Sequence, residues 1–138
     1  MLYGSLVQGT LSLLFTVVMI LTTLQSPYQS GGIAYYRKGL MGKVARVRIE
    51  QGLLTAQQVD TYECLAASLG REIGDVFVLE RNDTQVTCLV VDVAHPKDEA
   101  SIRRRGIIAE VDYYTASIFK CIDIRPKDCT GRILTTGM

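Results

Sequence analysis

The chain has 138 residues, with 15 basic and 14 acidic side chains and a net charge of +1. That length bounds it to one compact domain with an appendage. The charge balance excludes the basic stripe of a nucleic-acid-binding protein, so nucleic acid is not expected as a partner.

The charge is unevenly spread: the first charged side chain is Arg37. From Ser5 to Leu24 the run SLVQGTLSLLFTVVMILTTL holds 20 residues without a charge. As a helix, such a run crosses roughly 30 Å of hydrocarbon. Residues 1–25 are therefore expected to form an apolar transmembrane helix, an anchor or signal-anchor that meets the membrane through residues 5–24. Two other readings stay open. A cleaved signal peptide is one, although a basic n-region is missing and TTLQSP is a poor cleavage site. A helix or strand buried against a partner protein is the other, because FTVVMI is β-rich. Arg37, Lys38, Lys43, Arg46 and Arg48 follow the span, and the positive-inside rule would put that side in the cytoplasm.

The cysteines argue the other way. Cys64, Cys88, Cys121 and Cys129 are an even set in the globular part, which in a small exported domain reads as two disulfides. Four cysteines allow three pairings, and four reduced, buried thiols remain the alternative. The spacing lacks the C-x-x-C pairs of a zinc site, so no metal is expected, and no cofactor motif is present.

Residues 26–31 read as a linker with turn residues, residues 32–125 as the folded domain and residues 126–138 as a tail that frays. GIAYY reads as the first strand. KVARVRI, 43–49, alternates apolar and basic residues like a half-buried strand. Thr55 is placed to cap a short helix from Ala56 to about Tyr62, and Cys64 to Ala67 returns to the core. SLGREIGD is a glycine-punctuated turn before a strand from Asp75 to Glu80. RNDT, 81–84, is a hairpin turn, and QVTCLVVD, 85–92, is the returning strand. A loop follows, with one helical turn around Ala100 to Arg104. IIAEVD is another strand, residues 114–121 a short helix, and Cys121 to Arg125 the last strand. The whole reads as mainly β: a small closed six-stranded β-barrel with one or two short helices.

An ordered set of segments carries a family resemblance. GIAYY is similar to an opening G-x-A-S-x-Y strand, AASLGREIGD to an A-A-H-x-x-L-P-x-G-T segment, CLVVDVA to V-x-V-x-D-R-G-P, and AEVDYYTAS to I-D-L-S-x-A-A-A. Together, over residues 32–121, they resemble the RlpA-like double-psi β-barrel of RlpA lytic transglycosylases, expansin N-terminal domains and family-45 endoglucanases. The resemblance implies a β-linked glycan as partner, in a bacterial setting the glycan strands of peptidoglycan. It implies a cell-envelope location, with the barrel outside the cytoplasm. It makes Asp92 the candidate catalytic acid and sets Asp112 near the same groove, the two aspartates marking one rim. Ser68 stands where the family has histidine, Val93, Ala94 and His95 replace its R-G-P, and the T-A-N-G-E segment with its glutamate has no counterpart. Glu50 and Glu63 lie in that region but outside the motif.

Other residues are candidates for sugar contact. His95, the only histidine, would orient a sugar beside Asp92, with a surface residue as the plain alternative. Tyr35, Tyr36 and Tyr113 could stack on sugar rings, and along a strand one of each neighbouring pair points inward. Arg103, Arg104 and Arg105 would meet peptide carboxylates or lipid head groups, or form a solvated loop. Asn82-Asp83-Thr84 is both a sequon and a turn. Three functions stay open: a glycan-cleaving enzyme with Asp92 as general acid/base, a glycan-binding barrel, and a structural subunit of a virion or envelope assembly. A homo-oligomer or larger assembly is compatible with each.

Overall fold

The computed structural model describes residues 28–134. The expected transmembrane helix lies outside the described residues. Among the described residues, no helix is long and apolar enough to cross a membrane.

Six strands close into a barrel: β1 (Tyr28–Tyr35), β2 (Cys64–Ala67), β3 (Val76–Arg81), β4 (Thr84–Asp92), β5 (Ile107–Val111) and β6 (Thr130–Leu134). The order around the barrel is β1-β5-β2-β4-β3-β6. Two neighbouring pairs, β1–β5 and β2–β4, are parallel, and the other four are antiparallel. Four helices lie between the strands: α1 (Leu40–Glu50), α2 (Ala56–Thr61), α3 (Pro96–Arg104) and α4 (Tyr113–Ile118).

Ile33, Ala66, Leu79, Val90, Val111 and Ile133 fill the barrel. Strand β4 is buried on both faces. Cys88 and Val90 point into this core, whereas Leu89 and Val91 point outward into a second cluster with Met41 and Ala45 of α1 and with Leu54. An unbroken apolar run such as CLVV is what a strand covered on both sides requires.

The expected strand over 43–49 is instead the body of α1. Its alternation is real but short. Met41 and Ala45 are buried while Lys43 and Val47, which a strand would put on the same face, are exposed; only a helix separates them this way. Gly39, at φ 81°, turns the chain into that helix. The expected helix near 56–62 forms as α2, where Thr55 and Gln58 make a reciprocal capping box. The hairpin turn places Asn82 and Asp83 at positive φ, a conformation these two residues tolerate better than most.

Both ends of the domain differ from expectation. Strand β1 opens at Tyr28, inside the expected linker, and pairs with β6 from Tyr28↔Leu134 to Gly32↔Thr130. The last strand is not Cys121–Arg125 but Thr130–Leu134, within the expected tail. Lys120 and Asp123 at positive φ break any extended run through 121–125. Gly131 is required in the true strand, because a Cβ there would lie 2.6 Å from the Glu80 carbonyl oxygen.

The cysteines form two disulfides, Cys64–Cys88 and Cys121–Cys129, and all four are fully buried. The first ties β2 to β4, where the two cysteines are register partners. The second closes the loop between α4 and β6.

Candidate functional site

The two aspartates that end apolar runs do not share a rim. Strand β4 runs parallel to β2, so Asp92 at its end pairs with Ala67, the last residue of β2. Strand β5 runs antiparallel to β2, so its end lies at the other end of that short strand. Asp112 donates its backbone N–H to Leu65 O and accepts from Leu65 N, 2.8 Å from Oδ2. It also caps α4, accepting from the Thr115 amide and hydroxyl at 2.8 Å each. These bonds occupy the carboxylate with backbone work.

The carboxyl that lies level with Asp92 is Glu110. It pairs with Ala67 across β2–β5 and with Ala34 across β1–β5. Ala34, Glu110, Ala67 and Asp92 thus form one row over four strands. Residues paired directly across strands point to the same side, here the outer face: Ala66 and Val111, next to Ala67 and Glu110, fill the interior, and a register shift between Ala66 and Ala67 takes Asp92, two residues after the inward Val90, to the outer side. The alanines contribute only a methyl group to this row and leave space beside Glu110.

That space is a small recess of about 20 Å³ lined by Tyr36, Ala67, Ser68, Ala94, Ile102 and Glu110 among others. It is far smaller than the roughly 300–1,000 Å³ of ligand sites and admits about one water-sized group. Helix α3 supplies Ile102 to one wall, and Tyr36, just beyond β1, forms another.

Asp92 stands beside this recess in a fixed pose. Oδ1 accepts from Arg48 Nη2 at 2.9 Å and from the Val93 amide at 2.9 Å, and Oδ2 accepts from the Tyr36 hydroxyl at 2.8 Å. Arg48 is held in turn by Val91 O at 3.0 Å and Gln51 Oε1 at 2.9 Å. Because α1 is a helix, Arg48 reaches over β4 rather than lining a solvated strand face with Arg46. Burial, and then the hydrogen bond to Asp92, push the Tyr36 phenol well above its ordinary value. Burial also raises the Glu110 carboxyl, with Asp92 and Asp98 acting in the same direction and Arg105 opposing them.

The other expected contact residues are dispersed. Ser68 lines the recess, and its hydroxyl donates to Ile108 O at 2.8 Å. His95 is exposed and caps α3, its Nδ1 accepting from the Lys97 amide. Tyr35 packs against the barrel core, and its hydroxyl accepts from the Asp123 amide at 2.9 Å. Tyr113 meets Tyr35 edge-on at 6.0 Å between ring centroids. It lines a separate, wider groove with Lys38, Tyr62, Glu63, Asp112 and Tyr114. Glu63 accepts from the Thr87 amide, and Glu50 is exposed at the end of α1. Arg103, Arg104 and Arg105 are exposed at the end of α3 and just beyond it.

Sequence reasoning passed over Arg48 and Glu110. Glu110 had a signal: it is the one charged residue inside IIAEV, and a carboxyl in an otherwise apolar strand is costly unless it has a use. Arg48 had none, because its reach to Asp92 depends on α1 being helical.

Among the described residues, no cluster of three or more His, Cys, Asp or Glu side chains could hold a metal ion. No family model matches this chain, and no curated protein is similar to it at a significant level.

Proposed function

We propose that the protein is a membrane-anchored, RlpA-like double-psi barrel that binds, and through Asp92 cleaves, the glycan strands of peptidoglycan in the cell envelope. The observation that carries this reading is Asp92, fixed by Arg48 and Tyr36 beside a recess that Ser68 also lines. Asp92 and Ser68 are the two positions that match the family's aspartate and histidine segments. A closed six-stranded mixed barrel is compatible with that family's fold. So are two buried disulfides with an exported domain. The recess is too small for a sugar ring, so the glycan would lie across its mouth.

The structural-subunit reading, a barrel used as a brick in a virion or envelope assembly, would be favoured by a recess plugged by the tail. None of the residues 126–134 lines it.

The test is incubation of the purified protein with peptidoglycan sacculi, followed by co-sedimentation and mass spectrometry of released muropeptides. Anhydro-sugar products lost in Asp92→Asn would identify a lytic transglycosylase, and new reducing ends a hydrolase. Sedimentation without release would leave a binding module. Neither would sink the glycan reading and favour the structural subunit.

A further inference from the structure

The Ala34–Glu110–Ala67–Asp92 row gives the site a second carboxyl that none of the matched family segments supplies. We propose that Glu110 donates the proton to the glycosidic oxygen while Asp92 takes the proton from the attacking hydroxyl, an inference that rests on the glycan reading above. Three features of the site bear on it.

The first is spacing. Asp92 and Glu110 flank Ala67 on the same face. Two strand spacings of about 4.8 Å put their backbones roughly 10 Å apart. Side chains leaning over a single alanine methyl can bring the carboxyls to the roughly 6.5–9.5 Å at which an acid and a base flank a sugar and its nucleophile.

The second is the division of labour. Three donors hold Asp92: Arg48, Tyr36 and the Val93 amide. A carboxylate has about four lone-pair positions, so one remains to accept a proton. These bonds hold the carboxylate in one pose and leave that position facing the site. Glu110 lies in the recess among Ala67, Ala94 and Ile102. Burial favours its neutral form, as do Asp92 and Asp98, against Arg105. A carboxyl kept neutral by burial is suited to donate a proton, and Glu110 is that carboxyl here.

The third is balance. The proton on Glu110 passes to the glycosidic oxygen as the bond from that oxygen to the anomeric carbon breaks, and the bonding pair stays on oxygen. The attacking hydroxyl, from water or from the sugar itself, forms the new bond to the anomeric carbon and gives its proton to Asp92. Glu110 leaves as a carboxylate and Asp92 as an acid, and solvent resets both. No further reactant is needed.

The test uses the full-length chain, peptidoglycan sacculi and variants Glu110→Gln, Glu110→Asp and Asp92→Asn, with muropeptide release followed from pH 4 to 8. Glu110→Gln is expected to lower release by about 100-fold or more while sacculus co-sedimentation stays within a few-fold of wild type. Wild-type release should fall on an alkaline limb, and Glu110→Asp should shift that limb. Titration of the Glu110 side-chain carboxyl by carbon NMR should give the same midpoint and needs no variant to fold. Wild-type-like release by Glu110→Gln, or an alkaline limb that does not follow the Glu110 carboxyl, would overturn the role of Glu110 and leave the glycan reading standing. Co-sedimentation without release from the wild type would overturn proton transfer but not binding. Neither binding nor release would overturn both.

Discussion

Arg48 on α1 and Asp92 at the end of β4 are joined at 2.9 Å, 44 residues apart in the chain. The same guanidinium donates to the Val91 carbonyl. One side chain thus fixes the helix over the strand and sets the pose of the carboxylate. The pair is about one-fifth exposed on each side, so it is worth more than a surface ion pair, whose contribution is about 0–1 kcal/mol.

Replacing Arg48 with alanine should therefore cost about 1–2 kcal/mol, mostly from unpaired acceptors on Asp92 and Val91. Lysine should recover only part of this, because an ammonium cannot make three directed bonds from one plane. Urea denaturation of Arg48→Ala, Arg48→Lys and Asp92→Asn checks it. A loss in Arg48→Ala no larger than that of an exposed arginine such as Arg46→Ala would contradict the bridging role.

Asp112 should behave differently from Asp92. Its carboxylate satisfies the Leu65 and Thr115 amides and the Thr115 hydroxyl. Thr115 is fully buried, so water would not readily replace the lost partner. Asp112→Ala should destabilise the fold by about 2–3 kcal/mol, the sum of a lost cap and an orphaned strand amide. Asp112→Asn should recover only part of this, since one oxygen still accepts but the other becomes an amide NH2 that faces a donor. Thermal unfolding of the two variants separates a cap from a catalytic group: a catalytic Asp112 would show activity loss in the asparagine variant without a matching loss of stability.

The pattern of what the sequence revealed follows from the range of the interactions. Hairpin β3–β4 and the Thr55 cap are local, built from residues within a few positions of one another, and both are where the sequence puts them. Strand β6 is not local. TGRIL is short and glycine-bearing, and it becomes a strand only because β1 and β3 both lack a partner on that side. Segment 43–49 was misread because the five alternating residues from Ala45 to Ile49 fit two periodicities, and Met41, Leu89 and Val91 decide between them only in three dimensions. The same limit hid the site. Asp92 was found by its segment, whereas Glu110 becomes its neighbour through the opposite directions of β4 and β5 along β2, and strand direction is not written in either run.

Glu110 has a consequence for stability as well as for chemistry. Its carboxyl is raised above the ordinary value of 4.5, chiefly by burial. The folded state therefore binds this proton more tightly than the unfolded state does. That contribution is fully present below the unfolded value and is lost as pH rises through the higher folded value. Glu110→Gln removes the titration while keeping shape and a polar amide. The variant should match or trail the wild type near pH 4 and exceed it at pH 7 and above. Melting temperatures of both proteins at matched ionic strength from pH 4 to 8 measure the difference. A difference that does not change with pH would show that burial in the recess does not perturb this carboxyl.

The disulfides should differ in what they hold. Cys64–Cys88 closes a 24-residue separation and joins adjacent parallel strands under the site. Cys121–Cys129 spans a separation of 8 and fixes the loop that delivers β6 to its slot. Loop-closure entropy gives each roughly 3 kcal/mol, slightly more for the longer loop. Paired alanine replacement of Cys64 and Cys88 should lower stability by about that amount and, by loosening β2 against β4, blur the alignment of Ala67 with Asp92. Replacement of Cys121 and Cys129 should cost a similar amount but leave the recess side unchanged, with protection of the Thr130–Leu134 amides falling first. Amide exchange resolved along the chain distinguishes the two. Equal loss of protection on β2 and β6 in both variants would mean that the barrel opens as one unit and that neither bond has a local role.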